Sequence, residues 1–187
     1  MEKLLLASAS PRRAEILRAV NWSFETLATN IDETLAPGES AEAAVQRLAL
    51  EKAEVAAKQH PSLLVLGADT TVVIDSEILG KPQDERDARR MLRLLSGKWH
   101  DVLTGVALVR REGDGCRVVA YERTSVRFGV MSDAEIDWYV KSGEPADKAG
   151  AYAVQGRAAL FIEEIRGDYW NVVGLPVRLV YKLAGEV

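Results

Sequence analysis

Sulfur and imidazole are scarce in this chain: Cys116 is its single cysteine, and His60 and His100 are its two histidines. One thiol closes no internal disulfide, and no CxxC or Cys/His pattern exists from which a structural zinc site could be built. The histidines fall at a helix end and a strand start, contexts that suggest nothing catalytic. Neither a Ser-His pairing nor a GxxxxGK[ST] phosphate loop is present. No run approaches the roughly 18 consecutive apolar residues of a membrane span. Leu4-Leu5-Leu6 behind one lysine is too short for a signal-peptide core, so a cytoplasmic protein is expected. No sign of charge dominates either: 24 basic against 28 acidic residues leave a formal net charge of -4. That balance argues against a general binder of nucleic acid or anionic membrane, while allowing a local basic pocket.

What is present is an ordinary mixture for a folded domain of 187 residues, 48% of them apolar, enough to bury a real core. Strand and helix patterns alternate. Strands are expected at Lys3 to Ala7, Phe24 to Ala28, Leu63 to Leu66, Thr71 to Ile74 and Ile78 to Leu79, the last two around a turn at Asp75-Ser76-Glu77. Two long strands, Val102 to Arg110 and Arg117 to Phe128, flank the turn Glu112-Gly113-Asp114-Gly115, and another runs from Ala159 to Ile165. Helices are expected at Pro11 to Val20, at Ala41 to Gln59 behind a Ser40 cap, and at Asp84 to Leu95 with Asp84 as N-cap and Gly97 past the end. A fourth opens on the capping box Ser132-Asp133-Ala134-Glu135, and the last opens at Leu175-Pro176-Val177 with proline at its first position. This is a mixed α/β protein with hairpins and crossover helices, with no repeat or flexible linker; its strand order is not fixed by these patterns.

Three places carry a chemical signal. At the junction Leu4-Leu-Leu-Ala-Ser-Ala-Ser-Pro-Arg-Arg13, Ser10 reads as an N-cap with Pro11 at N1 and Ile16, Leu17 and Val20 as the buried stripe. Arg12 and Arg13 then oppose the helix macrodipole, at a cost of roughly 0.3–1 kcal/mol. Either they are simply solvated, or an anion sits there among the Ser8 and Ser10 hydroxyls, the helix amides and the guanidinium forks. In the long helix, Val45, Leu48, Ala49, Val55 and Ala56 form an apolar stripe opposite Arg47, Glu51, Glu54 and Lys58. Lys52 lies within the apolar stripe. Such a lysine snorkels or reaches a buried anion, a carboxylate or a ligand phosphate. Asp69 follows the apolar run Leu63 to Ala68 and is expected at the exit of a buried strand, where α/β sites gather. Asp32 and Glu33 in an irregular loop, Lys81 between Gly80 and Pro82, and Gln155-Gly156 in a loop of small residues are ambiguous by themselves. Together, many cations with a few carboxylates suit metal-assisted chemistry on a polyphosphate.

The segments Ser8-Ala-Ser-Pro-Arg-Arg13, Arg47-Leu-Ala-Leu-Glu-Lys-Ala53, Gly67-Ala-Asp-Thr70, Gly80-Lys-Pro82, Ser142-Gly-Glu-Pro145, Asp147-Lys-Ala-Gly-Ala-Tyr152, Val154-Gln-Gly156 and Val173-Gly-Leu-Pro176 resemble, in order and over essentially the whole chain, the Maf family of nucleotide pyrophosphatases. The resemblance implies one catalytic domain over 1–187. It implies a fold like that of the inosine-triphosphate pyrophosphatases: an elongated mixed sheet with flanking helices and a cleft between two lobes. The implied reaction is hydrolysis of a nucleoside triphosphate to monophosphate and pyrophosphate with Mg2+ or Mn2+, a house-cleaning role in the nucleotide pool. Carried onto this chain, Asp69 is the general base or a metal-associated carboxylate, and Glu33 helps with metal or water. Ser8, Arg12, Arg13, Lys52 and Lys81 bind the polyphosphate. Arg12, Thr70 and Gln155 are similar to the residues of the dTTP/UTP group, and modified pyrimidine nucleotides enter as further substrates. The Gln155 amide can both donate to and accept from a pyrimidine edge. Ala153 and Trp170 depart mildly from the family pattern. A homodimer is a family expectation, and a nucleotide-binding regulator of cell division and septum formation is the alternative role.

Overall fold

The structure, a computed structural model, describes residues 2–113 and 115–187. Asp114, in the expected turn at 112–115, lies outside the described residues. A seven-stranded sheet runs in the order β2-β1-β3-β5-β6-β7, with β4 paired to β3. The strands are β1 (Leu4–Leu6), β2 (Phe24–Thr26), β3 (Leu64–Ile74), β4 (Glu77–Leu79), β5 (Trp99–Arg110), β6 (Cys116–Phe128) and β7 (Ile162–Arg166). β1 is parallel to both β2 and β3, whereas β4 on β3 and β7 on β6 are antiparallel. The helices are α1 (Pro11–Ala19), α2 (Ala41–Gln59), α3 (Glu85–Leu95), α4 (Asp133–Val140), α5 (Tyr169–Val173) and α6 (Val177–Ala184). The mixed α/β class with helices flanking a mixed sheet is as expected.

The chain divides into two compact units. One comprises Met1–Asp69, Thr104–Glu122 and Gly174–Val187, and the other Thr70–Leu103 and Arg123–Val173. In the first, β1 has neighbours on both edges and all three of its leucines are buried, which is why it reads as an unbroken apolar run. Helix α2 lies close on the sheet through small residues: Ala49, Ala53, Ala56 and Ala57 share a core with Leu5, Val65 and Ala107. Gly67 and Gly105 complete the approach. A Cβ at Gly67 would lie 2.1 Å from the Ala49 carbonyl oxygen, and one at Gly105 2.0 Å from that of Val45. In the second unit, Val72, Leu92, Leu95, Phe128, Tyr139 and Tyr152 form a larger core between sheet and helices.

Local signals account for most boundaries. Ser40 Oγ accepts from Ala43 N at 3.2 Å, Asp84 caps α3 through Asp87 N at 2.8 Å, and Ser132 with Glu135 forms the capping box of α4. Asp75 and Ser76 both have positive φ, 49° and 67°, so β3 and β4 join through a two-residue turn of the type that matches strand twist.

Several expectations are corrected. Leu63 to Leu66 and Thr71 to Ile74 are one strand, so Asp69 lies inside β3 rather than at a strand exit. Gly67 keeps the strand extended under α2 instead of turning it. Ser10 holds the N-cap position before Pro11 as expected, but its hydroxyl makes no cap bond; its amide donates to Ser8 Oγ at 3.1 Å. Val20 ends α1 exposed, outside its buried stripe. Residues 157–160 form a 3-10 turn, and only Ile162 onward pairs with β6. The α5 helix was not expected. Its aromatic and β-branched residues favour strands, but Asp168 Oδ1 accepts from Trp170 N at 2.8 Å and starts the turn. Pro176 occupies the cap of α6 rather than its first helical position.

Candidate active site

In the first unit, β1 delivers Ala7 and Ser8 to the start of α1. Ser8 Oγ accepts from Arg13 Nη1 at 3.1 Å, and Arg13 Nε donates to the Gly174 carbonyl oxygen at 2.8 Å. These bonds turn the Arg13 fork back over the helix start, where the first turn contains no acidic residue. Burial pulls the Arg13 guanidinium below its ordinary pKa. Asp69 opposes that shift, Arg12 adds to it, and Glu33 opposes it, in decreasing order of effect. Arg13 therefore senses the charges of Asp69, Arg12 and Glu33.

Lys52 is the hub. Its Nζ lies 2.6 Å from Asp69 Oδ1 and 2.6 Å from Glu33 Oε1. The lysine side chain is 10% exposed and Asp69 14%, against 49% for Glu33. The anions that Lys52 reaches from the apolar stripe are thus two carboxylates, one rigidly seated in β3 and one offered by an open loop. That loop has its own anchor. Arg47 donates through Nε and Nη2 to both oxygens of Glu39, at 2.7 and 2.8 Å, and through Nη2 to the Thr34 carbonyl at 3.1 Å. The bidentate bond pushes the Glu39 carboxyl down to about 2 and the Arg47 guanidinium up. Asp32 Oδ1 accepts from both the amide and the hydroxyl of Thr34, which lowers its pKa. Glu33 is held between these two fixed points.

Thr70, Lys81 and Gln155 belong to the second unit. Thr70 is half-buried, the next residue after Asp69 along β3. Lys81 is exposed in the bend after β4; the preceding carbonyl, Gly80 O, accepts from Gly150 N at 3.0 Å. Gln155 is exposed on a turn whose Gly156 N donates to Ala153 O at 3.0 Å. The expected set thus divides, with Ser8, Arg12, Arg13, Glu33, Lys52 and Asp69 gathered in the first unit. Reading the sequence missed Arg47, which looked like one member of a solvated helix face, and the Gly174 carbonyl. It also missed Tyr139 and Glu144, which bracket the Gln155 turn. Among the described residues, no three His, Cys, Asp or Glu side chains converge as a preformed metal cluster.

The family model described as Maf-like protein matches residues 3–187. The chain belongs to the Maf family. Relatives named dTTP/UTP pyrophosphatase include one from Symbiobacterium thermophilum, 52% identical over 95% of this chain and 90% of that protein. Another, from Bacillus mycoides, is 50% identical over 98% of this chain and 95% of its own length. Among solved structures, a HAM1 protein from Coxiella burnetii superposes with a TM-score of 0.57 at 18% identity, covering both chains fully. The Staphylococcus aureus Ham1 protein gives 0.52 at 13% identity with the same coverage. At those identities the likeness is one of fold. Among the described residues of this Maf protein, no helix is long and apolar enough to cross a membrane.

Proposed function

We propose that this protein hydrolyses nucleoside triphosphates, dTTP and UTP foremost and modified pyrimidine nucleotides with them, to the monophosphate and pyrophosphate. The observation that carries the reading is the Lys52 hub: a buried ammonium 2.6 Å from each of two carboxylates, beside an arginine whose burial already lowers its pKa. Such an assembly has cations to receive a polyphosphate and carboxylates to act on water. The relatives' name supports the substrate class.

In this reading Ser8, Arg12, Arg13, Lys52 and Lys81 bind the polyphosphate, and Thr70 and Gln155 contact the nucleoside. The donor set suits a hard divalent cation, since Mg2+ is commonly held by one or two carboxylates with phosphate oxygens and water completing its shell. Glu33 and Asp69 are the residues that would hold it. Bound there, Mg2+ or Mn2+ would supply charge neutralisation to the phosphate oxygens. Lys52 orients Asp69 against the interior of β3 and Glu33 against the loop. Asp69 takes a proton from the attacking water as the water oxygen bonds to the α-phosphorus, and the bridging oxygen departs with pyrophosphate. Arg12 and Arg13 stabilise the charge that gathers on the leaving group.

The experiment is pyrophosphate release from dTTP, UTP, CTP, GTP and 7-methyl-GTP with Mg2+ or Mn2+, for the wild type and Asp69→Asn. Turnover favouring dTTP and UTP is expected, with kcat falling about 10²–10⁴-fold in the variant, the usual range for loss of a general base. Nucleotide binding without turnover in the wild type would overturn the reading and favour a regulator.

A further inference from the structure

Both feet of the turn that carries Gln155 are fastened by one pair of side chains. On one side Ala153 N donates to Tyr139 Oη at 3.2 Å. On the other, Arg157 N donates to Glu144 Oε2 at 3.0 Å. The pair is closed by Tyr139 Oη donating to Glu144 Oε1 at 2.8 Å. Tyr139 is fully buried on α4, and Glu144 opens the 3-10 turn Glu144–Asp147. The residue before the first foot is anchored too: the Tyr152 hydroxyl meets His100 Nε2 at 2.8 Å within the core. The turn lies so close on the carboxylate that a Cβ at Gly156 would fall 2.2 Å from Glu144 Oε1. A side chain at 156 would have to displace that carboxylate, whereas the backbone itself does not demand glycine, since its φ is -123°.

We infer that Tyr139 and Glu144 are positioning residues for base selection: they fix the backbone on either side of Gln155 so that its amide is presented in one orientation. The inference rests on the reading of Gln155 as a base contact. An exposed amide takes its direction from the backbone beneath it, and an amide on a loose turn can rotate to suit either a donor or an acceptor. Uracil and cytosine differ by that exchange at position 4, a carbonyl acceptor against an amino donor. Discrimination between them needs an amide that does not adapt, because the rejected base must be left with an unpaired group. The clamp is chemically specific. Glu144 receives one donor on each oxygen, which a carboxylate does and an amide cannot. Glutamine at 144 fills the same volume, but with its NH2 toward Arg157 N that clamp bond is lost, and with its NH2 toward Tyr139 the hydroxyl must turn from donor to acceptor while already receiving Ala153 N.

The test measures kcat and KM for UTP and CTP in the wild type, Glu144→Gln, Tyr139→Phe, the double variant and Gln155→Ala. A lost hydrogen bond at the clamp is expected to raise KM for UTP about tenfold with kcat within about twofold, and to lower the UTP/CTP ratio of kcat/KM about tenfold. The double variant should be no worse than Tyr139→Phe, because both changes break one network. If Gln155→Ala lowers the ratio while Glu144→Gln and Tyr139→Phe leave it at the wild-type value, the clamp is overturned and the base contact stands. If the clamp variants slow UTP and CTP equally, their role is structural only and the inference falls. If Gln155→Ala itself leaves the ratio unchanged, the base contact fails and the clamp's part in selection fails with it.

Discussion

Lys52 shows how much one misplaced-looking residue can carry. Its stem crosses the apolar face of α2 and its ammonium serves both Asp69 and Glu33. Lys52→Met keeps the stem's bulk and removes the charge. The two carboxylates then face an incoming triphosphate without their cation. kcat/KM for dTTP should fall at least about 100-fold, the scale of removing one charged partner from a phosphate site. Circular dichroism should still report a folded protein, because only a charge has been lost from the apolar face. Activity within a fewfold of wild type would show that Lys52 is a structural counter-ion alone. The inward face of Lys52 was legible because helical period assigns faces without any tertiary knowledge. Its partners were not, since Glu33 sits in a loop with no periodicity to place it. Ser10 was legible as the N-cap position, but the absence of a cap bond from its hydroxyl was not, because residue type marks the position and not the side-chain rotamer. Glu144 carries no sequence signal beyond its place in Ser142-Gly-Glu-Pro145, because its two donors come from backbone and a buried tyrosine that meet it only in the fold.

At the scale of elements, the glycines of the sheet decide where α2 can lie. The expected strands Leu63 to Leu66 and Thr71 to Ile74 are the single strand β3, and Gly67 falls in the gap between them. Its function is to let the α2 backbone approach, with the Ala49 carbonyl 2.1 Å from where a Cβ would sit. A rigid backbone atom cannot yield as a flexible side chain would, so Gly67→Ala must push α2, and Lys52 with it, off the strand. Overpacking of this kind typically costs about 1–3 kcal/mol, and the loss should appear in a urea melt together with reduced turnover. Gly80→Ala is the control. A Cβ there meets nothing within 4 Å, so stability should stay within about 0.5 kcal/mol of wild type. Equal destabilisation by the two substitutions would refute the close-approach account. Elements with a cap and a full period, such as α2, α3 and α4, were readable to within a residue or two. β7 and α5 were not, because their boundaries depend on pairing with Phe128 and on a cap at Asp168, contacts that short segments do not advertise.

Over the whole molecule, two acid-sensitive groups divide the stability curve into separate windows. His100 lies buried beside Phe128 and Tyr152, and burial lowers its pKa from 6.5 to about 4, with Asp101 opposing. The unfolded chain therefore binds its proton first. The stability that neutral burial preserves is complete above pH 6.5, declines as pH falls through the interval, and is fully lost below about 4. A shift of that size corresponds to about 3 kcal/mol at 1.36 kcal/mol per unit. Glu39 acts later. Its folded pKa, held down to about 2 by Arg47, lies below the ordinary 4.5, so its contribution is present above 4.5 and disappears as pH falls toward 2. Asp137 and Glu135, lowered by Arg89 and Ser132 respectively, follow the same sign. Denaturant unfolding between pH 7.5 and 4 should show a decline in the wild type that His100→Gln largely removes, because glutamine can still bond the Tyr152 hydroxyl but does not titrate. Arg47→Ala should leave that upper window alone and flatten the lower one, because the bond that holds the folded Glu39 carboxyl below 4.5 is gone. A wild-type curve flat from 7.5 to 4, or one that His100→Gln leaves unchanged, would mean that the imidazolium finds a hydrogen-bond acceptor in the fold and that acid lability belongs to the carboxylates alone.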